Sequence, residues 1–266
     1  MPAATLEQIL QVTRERVAAL HREGHAADLA RRAAAAPPPR PFLPVPLGRT
    51  VGVVAEIKRR SPSQGSIRHD LDPVSHARAY ARGGAVAVSV LTDEAHFGGS
   101  LDDLSQVAAA VSLPVLRKDF IIDETQILEA RAAGASAVLL IVRVLLPERL
   151  SALAAAAARH QLAALVEVHS AAELEAALAV GPAAVGVNAR DLTTFTVDLR
   201  AAEAVVARVP REIPVVAESG IEERADVERL AAAGADFVLV GTSLARRTDP
   251  EAAVRALAGV ERTPRG

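Results

Sequence analysis

Two lysines, Lys58 and Lys118, stand out because arginine supplies all the other members of the chain's 30 lysines and arginines. Arginine replaces lysine easily where only a positive charge is needed, but a guanidinium does not release its proton, whereas a lysine ammonium can. The two lysines are therefore candidates for proton transfer at a reacting group. A bias toward arginine codons, which the alanine-rich composition also indicates, explains their scarcity without any chemistry, and this alternative stays open here.

Acidic and amide side chains recur where short apolar runs of the sequence end. Glu56, Glu167, Asn188 and Glu218 lie at such places, and basic residues lie beside them: Lys58, Arg59, Arg60, Arg117, Lys118, Arg143 and Arg190. A buried charge is unfavourable unless it is paired, so a cap or a rim ion pair explains each one taken singly. Their recurrence at the same end of successive runs predicts a polar cavity for an anionic substrate.

Two glycine-containing segments, Ser219-Gly220 and Gly241-Thr242, follow the last two apolar runs. Glycine lets the backbone approach a phosphate closely, and barrels of alternating strands and helices often bind phosphate with the loops after strands seven and eight. Ser61, after the first run, could add a hydroxyl donor from across the cavity. Ordinary tight turns are the alternative explanation for these glycines.

The elements that must position these residues form a repeating pattern from residue 51 onward. The apolar runs predict eight strands, at Val51–Ile57, Ala85–Leu91, Pro114–Leu116, Ala137–Val142, Ala163–Val168, Ala183–Asn188, Pro214–Ser219 and Phe237–Gly241. Amphipathic segments between them predict helices, the first near Pro73–Arg82 and the last near Pro250–Leu257. Continuous Val, Leu and Ala strands that alternate with helices are typical of a parallel sheet covered by helices.

Eight such units predict an α/β fold, a closed (β/α)8 TIM barrel. A doubly wound open sheet is the alternative, but it usually has fewer strands, and no GxGxxG motif follows the first strand. Before the barrel, apolar spacing predicts a helix over Thr5–Glu23, and the proline-rich residues 37–41 end the helical pattern. We expect residues 1–50 to be an N-terminal helical extension packed on a catalytic barrel of residues 51–266, within one domain overall.

The composition excludes several kinds of protein. A net charge of −2 argues against a role in binding nucleic acid or a membrane surface. The absence of cysteine removes disulfides and thiol nucleophiles, and we expect a cytoplasmic protein. No trio of His, Asp and Glu has the spacing of metal ligands. His96, His160 and His169 are interpreted as surface or packing residues.

Seven short motifs occur in order along the chain: Ala55–Ser63, Ser89–Asp93, Leu116–Ile121, Leu165–His169, Asn188–Leu192, Ala217–Ile221 and Leu239–Leu244. In combination they resemble the indole-3-glycerol-phosphate synthase family, over about residues 51–247. The N-terminal helical extension also fits that family. The resemblance implies a carboxy-lyase of tryptophan biosynthesis. Such an enzyme converts 1-(2-carboxyphenylamino)-1-deoxyribulose 5-phosphate to indole-3-glycerol phosphate, CO₂ and water, with no cofactor or metal.

The resemblance assigns catalytic roles to residues already singled out. Lys118 is expected to act as the general acid at the substrate ketone, and Lys58 to hold the carboxylate that leaves as CO₂. Glu167 serves in the closing elimination of a hydroxyl and a proton, with Glu56 beside it, and Asn188 positions the substrate. How the acid and base roles are divided between the elimination steps stays open.

The resemblance also implies a binding surface around these groups. The expected substrate contacts are Ser61, Phe97, Phe120, Arg190, Leu192, Glu218 and Ser219, and the expected phosphate ligands are Lys58, Ser219, Gly220, Gly241 and Thr242. An anthranilate ring needs an apolar slot, and Phe97 and Phe120 are two of only five phenylalanines in the chain. Plugging a hydrophobic gap is the alternative for these two rings.

Two other functions compete with this one. Phosphoribosylanthranilate isomerase, another phosphate-binding barrel of the same pathway, uses a Cys/Asp acid–base pair, and this chain has no cysteine. A barrel that only binds a phosphorylated ligand is the second alternative, although anion binding alone would tolerate arginine at both lysine positions. We expect a small phosphorylated substrate, no nucleic-acid or membrane partner, and a monomer or at most a weak homo-oligomer.

Overall fold

A computed structural model describes residues 4–22, 24–43 and 47–265. Its centre is a closed barrel of eight parallel strands, which confirms the predicted TIM barrel. The barrel strands are β1 (Gly52–Ile57), β4 (Ala87–Leu91), β5 (Val115–Lys118), β6 (Ala137–Ile141), β7 (Ala163–Val168), β8 (Ala184–Asn188), β9 (Val215–Glu218) and β10 (Phe237–Val240). Around the barrel the order is β1-β10-β9-β8-β7-β6-β5-β4. A two-stranded ribbon, β2 (Arg60–Ser61) with β3 (Gly65–Ser66), follows β1.

Twelve α-helices surround or extend the barrel in the described residues. They are α1 (Leu6–Arg22), α2 (Ala26–Ala35), α3 (Pro73–Gly83), α4 (Glu94–Phe97), α5 (Leu101–Ala110), α6 (Glu124–Ala132), α7 (Pro147–Arg159), α8 (Ala171–Ala179), α9 (Leu199–Val206), α10 (Arg224–Ala232), α11 (Thr242–Arg246) and α12 (Pro250–Leu257). A 3-10 turn, Val142–Val144, follows β6. Side-chain caps fix several helix starts: Asp72 accepts a hydrogen bond from the backbone N–H of Ser75 at the start of α3.

Both faces of the barrel strands are buried, which is why the strands read as continuous apolar runs. One set of alternate residues packs outward under the helices, as Val53 and Ala55 do in β1. The other set fills the barrel interior, as Val54 of β1 and Leu116 of β5 do. Since successive side chains point to opposite faces, the position two residues beyond an interior apolar residue also faces inward.

This alternation corrects the predicted end of the third barrel strand. The strand continues past Leu116 through Lys118, so Arg117 and Lys118 both belong to it and point to opposite faces. Lys118 lies two residues after the interior residue Leu116, so it also faces into the barrel. Arg117 is fully buried on the outer side, where Nη2 donates to Asp119 and Glu129 at 2.9 and 3.1 Å.

The N-terminal helices pack against the barrel beside β5 and α6. Ile9 and Leu10 of α1 belong to the same apolar cluster as Phe120, and Arg16 donates to Asp119 Oδ2 at 2.8 Å. Arg131 of α6 donates to the carbonyl of Ala36, directly after α2. Helix α1 ends at Arg22, and Glu23, the predicted end, lies outside the described residues. Across residues 4–22, 24–43 and 47–265, no helix has the length and apolar character that crossing a membrane would require.

Candidate active site

A cavity of about 420 Å³ opens at the carboxyl ends of the barrel strands. Every residue that the sequence assigned to catalysis or binding lines it: Glu56, Lys58, Ser61, Phe97, Lys118, Phe120, Glu167, Asn188, Arg190, Leu192, Glu218, Ser219, Gly220, Gly241 and Thr242. They come from positions more than 180 residues apart in the chain. The closed barrel brings them together because parallel strands all present their carboxyl ends at one face.

Lys118 lies at the centre of this cavity between two buried carboxylates. Its Nζ donates to Glu167 Oε2 and to Glu218 Oε2, both at 2.8 Å. Burial by itself would lower the pKa of Lys118, but the negative charges of Glu167, Glu218 and Glu56 outweigh burial and raise the pKa above the ordinary value. The side chain is therefore an ammonium at neutral pH, held in place by two hydrogen bonds, and its third N–H is left for a bound substrate.

Glu167 and Glu218 share this lysine but titrate in opposite directions. Burial raises the pKa of Glu218 to about 8, despite Lys118, and repulsion from Glu167 adds to the rise. Burial also opposes ionisation of Glu167, but Lys118, His169 and a hydrogen bond from Asn188 together lower its pKa to about 2. Two acids so close to each other cannot both be charged easily, so this environment favours the ionised form of Glu167 and the neutral form of Glu218.

A second ion pair lies at the end of β1. Lys58 Nζ is 2.9 Å from Glu56 Oε1, and the Lys58 side chain is only 16 % exposed. Gly241 makes room for this pair, because a Cβ at that position would lie 2.3 Å from Glu56 Oε1. The sequence singled out Gly241 for approach to a phosphate, and the structure adds that it also accommodates Glu56.

Gly186 of β8 has an analogous role that the sequence interpretation missed. A Cβ at Gly186 would lie 2.4 Å from Glu218 Oε1. A lone glycine inside a strand often marks a close approach of another group, and this was the available signal. Its small size lets the Glu218 carboxylate reach Lys118.

Asn188 is the last residue of β8, and Arg190 lies at the start of the loop that follows. Asn188 Oδ1 accepts the backbone N–H of Arg190 at 3.0 Å, and Arg190 Nη1 donates to the carbonyl of Phe195 at 2.9 Å. Burial lowers the pKa of the Arg190 guanidinium. These hydrogen bonds tie Arg190 to Asn188 and Phe195, and all three residues line the cavity.

Apolar side chains line part of the cavity. The rings of Phe97 and Phe120 are 6.3 Å apart between centroids and inclined at 40°. Leu192, Phe195 and Val197 of the β8–α9 loop also line the cavity. Phe195 was not predicted, although it was a third scarce phenylalanine at a strand-end loop. Together these side chains provide a surface on which an aromatic ring can pack.

The loops after β9 and β10 line one part of the cavity. Ser219 and Gly220 both have left-handed conformations, with φ of 69° and 75°. For serine this conformation is uncommon and tends to persist at functional sites. Thr242 begins α11, and the hydroxyl of Ser243 donates to the carbonyl of Ile221 at 2.8 Å, which joins the two loops.

Several charged residues near strand ends do not reach the cavity. Arg59 pairs with Asp103 at 2.6 Å, and Arg60 donates to the carbonyls of Glu94 and Ala95. Arg143 binds Glu173 at 2.9 Å and Asp191 at 2.7 Å. With Arg117, which points outward, they support the loops and helices around the site.

His169 was interpreted as a surface or packing residue, and its burial excludes the surface alternative. Its side chain is 2 % exposed, with Nε2 only 3.3 Å from Glu167 Oε1. The residue directly follows β7, so its ring lies immediately behind a cavity carboxylate. Among the described residues, no cluster of three or more His, Cys, Asp or Glu side chains could hold a metal ion.

Comparison with known sequences identifies relatives across nearly the whole chain. A family model described as indole-3-glycerol phosphate synthase matches residues 6–257. Indole-3-glycerol phosphate synthase 2 of Streptomyces coelicolor is 49 % identical over 233 residues, 88 % of this chain and 90 % of the relative. Indole-3-glycerol phosphate synthase of Mycobacterium avium is 45 % identical over 256 residues, 96 % of this chain and 94 % of the relative.

Solved structures agree on the fold. A 3-hexulose-6-phosphate synthase superposes with a TM-score of 0.63 at 18 % identity, covering 78 % of this chain and 98 % of that one. A thiamine phosphate pyrophosphorylase from Pyrococcus furiosus gives a TM-score of 0.57 at 20 % identity, covering 78 % and 93 %. At this level of identity the likeness extends to the barrel alone.

Proposed function

The chain belongs to the indole-3-glycerol phosphate synthase family, and from this premise we propose which of its residues carry out the reaction. It is a carboxy-lyase of tryptophan biosynthesis. Its reaction closes the indole ring of 1-(2-carboxyphenylamino)-1-deoxyribulose 5-phosphate and gives indole-3-glycerol phosphate, CO₂ and water. Three chemical events need protein groups: attack of the aromatic carbon on the ketone, loss of the carboxylate, and loss of a hydroxyl with a proton.

Lys118 is the general acid at the ketone. The observation that carries this assignment is the position of its ammonium between Glu167 and Glu218, at 2.8 Å from each. Proton donation to the ketone oxygen removes the negative charge that would otherwise develop there as the aromatic carbon attacks. The two carboxylates fix the direction of the ammonium before the substrate binds, so little reorganisation is needed during the reaction.

Glu167 and Glu218 handle the protons of the later steps. At neutral pH Glu167 is ionised and can accept a proton, while Glu218 holds one that it can give. Glu167 as the base can remove a proton, and Glu218 as the acid can protonate a hydroxyl that leaves as water. The closing dehydration requires these two events. Both carboxyl groups bind the same lysine, Lys118.

Lys58 holds the carboxylate that leaves as CO₂. Glu56 Oε1 lies 2.9 Å from Lys58 Nζ and fixes the position of this ammonium. The phosphate binds to Ser219, Gly220, Gly241 and Thr242, with Lys58 within reach on the side of β1. Phe97, Phe120 and Leu192 pack on the aromatic ring, and Ser61, Asn188 and Arg190 fix the ribulose chain. Support for this arrangement comes from the common cavity that all these residues line.

A turnover assay tests the assignment directly. The protein is mixed with the carboxyphenylamino-deoxyribulose phosphate, and formation of the indole chromophore is followed by its absorbance. We expect product with the wild-type protein and none above background with Lys118→Met. Tight binding of the substrate without any product from the wild type would contradict catalysis and favour the barrel that only binds a phosphorylated ligand.

We extend the proposal to organisation and location. The chain is one domain with an extension of residues 1–50 on a barrel of residues 51–266, monomeric or weakly self-associating, and cytoplasmic. It has no nucleic-acid partner, in keeping with its net charge of −2. Support for a single domain comes from the apolar cluster that α1 shares with the barrel interior. Gel filtration with light scattering tests the oligomeric state.

A further inference from the structure

His169 lies against the face of Glu167 that does not bind Lys118. Its Nε2 is 3.3 Å from Glu167 Oε1, while the other oxygen, Oε2, accepts the hydrogen bond from Lys118. The Glu167 carboxylate is therefore flanked on both sides, by an ammonium within the cavity and by an imidazole behind it.

A second carboxylate lies on the other side of the imidazole. Nδ1 of His169 is 3.6 Å from Oε2 of Glu173 in α8, and the same oxygen accepts the backbone N–H of His169 at 2.7 Å. The other oxygen of Glu173 accepts a hydrogen bond from Arg143 at 2.9 Å, and Arg143 also binds Asp191 at 2.7 Å. Glu173 is thus fixed by Arg143, and the ring is fixed between Glu167 and Glu173.

Neither ring nitrogen of His169 has a fully aligned hydrogen-bond partner among the described residues, although the ring is 2 % exposed. A buried polar group without such a partner is destabilising, so packing alone does not account for an imidazole here. An apolar side chain of similar size would fill the space without that penalty. The feature that an imidazole adds is an N–H beside a carboxylate of the cavity.

We propose that His169 is a positioning residue, which orients the Glu167 carboxylate so that Glu167 can accept a proton from the substrate. The proposal rests on the role of Glu167 proposed above and extends the site by one residue behind the cavity wall. His169 does not contact the substrate. Its effect passes through Glu167, as a residue behind a catalytic carboxylate fixes the geometry of that carboxylate.

The charged groups around Glu167 define what His169 contributes. Glu167 is faced by Lys118 from β5, Asn188 from β8, Glu218 from β9 and His169 from the end of its own strand, and Glu56 of β1 acts on the same lysine. His169 is itself faced by Glu173, with Arg143 behind it. His169 and Lys118 both lower the pKa of Glu167 against the effect of burial. Removing the imidazole therefore raises that pKa.

Two amide substitutions separate the two ring nitrogens. In His169→Gln the amide nitrogen occupies about the position of Nε2, beside Glu167, whereas in His169→Asn it occupies about the position of Nδ1, beside Glu173. We expect H169N to lower kcat roughly tenfold or more, because the carboxylate is no longer held in place. We expect KM to stay within about twofold, and the acid limb of the kcat–pH profile to move to higher pH. H169Q should recover most of kcat and the wild-type limb.

A matched control is His160→Gln, at the partly exposed end of α7 outside the cavity, which should leave kcat and the pH profile unchanged. Thermal unfolding of each variant shows whether it is folded. Equal losses in H169N and H169Q with an unmoved acid limb would identify a packing role and overturn the proposal, as would wild-type kcat in H169N. Glu167→Gln separates the two hypotheses. If E167Q keeps its activity, the role of Glu167 fails, whereas an inactive E167Q with a normal H169N rejects only His169.

Discussion

The carboxylate of Glu218 lies directly over Gly186, so close that a Cβ at that position would be 2.4 Å from Glu218 Oε1. Because Gly186 of β8 has no side chain, the carboxylate of Glu218 in β9 can occupy this position. Because Glu218 also binds Lys118 at 2.8 Å, Gly186 helps to set the position of the central ammonium.

Gly186→Ala should therefore impair catalysis without unfolding the barrel. The new methyl group displaces Glu218 from Lys118, and we expect kcat to fall about 10–100-fold, as for other displacements of about 1 Å in an active site. Gly48→Ala is the matched control, since a Cβ there meets nothing within 4 Å. Steady-state kinetics of both variants measure the effect. Wild-type kcat in G186A would show that the position of Glu218 does not matter for turnover.

Arginine at position 118 should retain binding and lose turnover. Lys118→Arg keeps the positive charge between Glu167 and Glu218, but a guanidinium does not release its proton. We expect kcat to fall by roughly 10²-fold or more, the usual scale for loss of a general acid. Affinity for the product, measured by calorimetry, should change only a few-fold.

Lys58→Arg is the comparison for this variant, because Lys58 is assigned a binding role that arginine can partly fill. It should affect KM more than kcat. If K118R turned over at nearly the wild-type rate, the general-acid role of Lys118 would be rejected.

The raised pKa of Glu218 predicts a pH dependence of stability. In the unfolded chain this carboxyl ionises near 4.5, but in the folded protein burial raises its pKa to about 8. The stability that the protonated group contributes is complete below pH 4.5 and is lost as pH rises through about 8. We therefore expect Glu218→Gln, which stays neutral, to gain stability relative to the wild type as pH rises from 5 to 9.

Urea unfolding at several pH values measures this difference. Glu148→Gln, at an exposed position in the first turn of α7, serves as the control and should show no such trend. A constant difference between E218Q and the wild type across this range would mean that Glu218 is ionised in the folded protein.

Arg16 should stabilise the protein where its helix contacts the barrel. Its guanidinium binds the fully buried carboxylate of Asp119 at 2.8 Å, directly after Lys118 in sequence. Since hydrogen bonds to charged groups contribute about 1.5–3 kcal/mol, we expect Arg16→Ala to lower the free energy of unfolding by about 1–3 kcal/mol.

Arg14→Ala is a matched control in the same helix, because Arg14 pairs with the exposed Glu7 and surface pairs contribute about 0–1 kcal/mol. Denaturant unfolding compares the two variants. Equal effects would show that Arg16 adds nothing specific at Asp119.

The sequence by itself determined the barrel and placed the assigned catalytic and binding residues at one end of it. Continuous apolar strands alternating with helices specify eight parallel units, and parallel strands place their carboxyl ends together. The catalytic and binding residues at those ends, from Glu56 to Thr242, could therefore be assigned to one site before any distance was known. This assignment needed only the order of strands and residues along the chain, and it did not require the register between strands. Arg59, Arg60, Arg117 and Arg143 lie at the same ends, and only the structure shows that they support the surrounding loops and helices instead.

Only the tertiary structure decided which of these residues touch. Lys118 binds Glu167 and Glu218, whereas Arg117, one residue earlier, points outward to Asp119 and Glu129. A shift of one residue exchanges the two faces of a strand, and the register between strands depends on packing across the whole barrel. The space at Gly186, the third ring at Phe195 and the buried position of His169 depend on the same packing. Local sequence does not encode these distances, because each is set by two or more segments far apart in the chain.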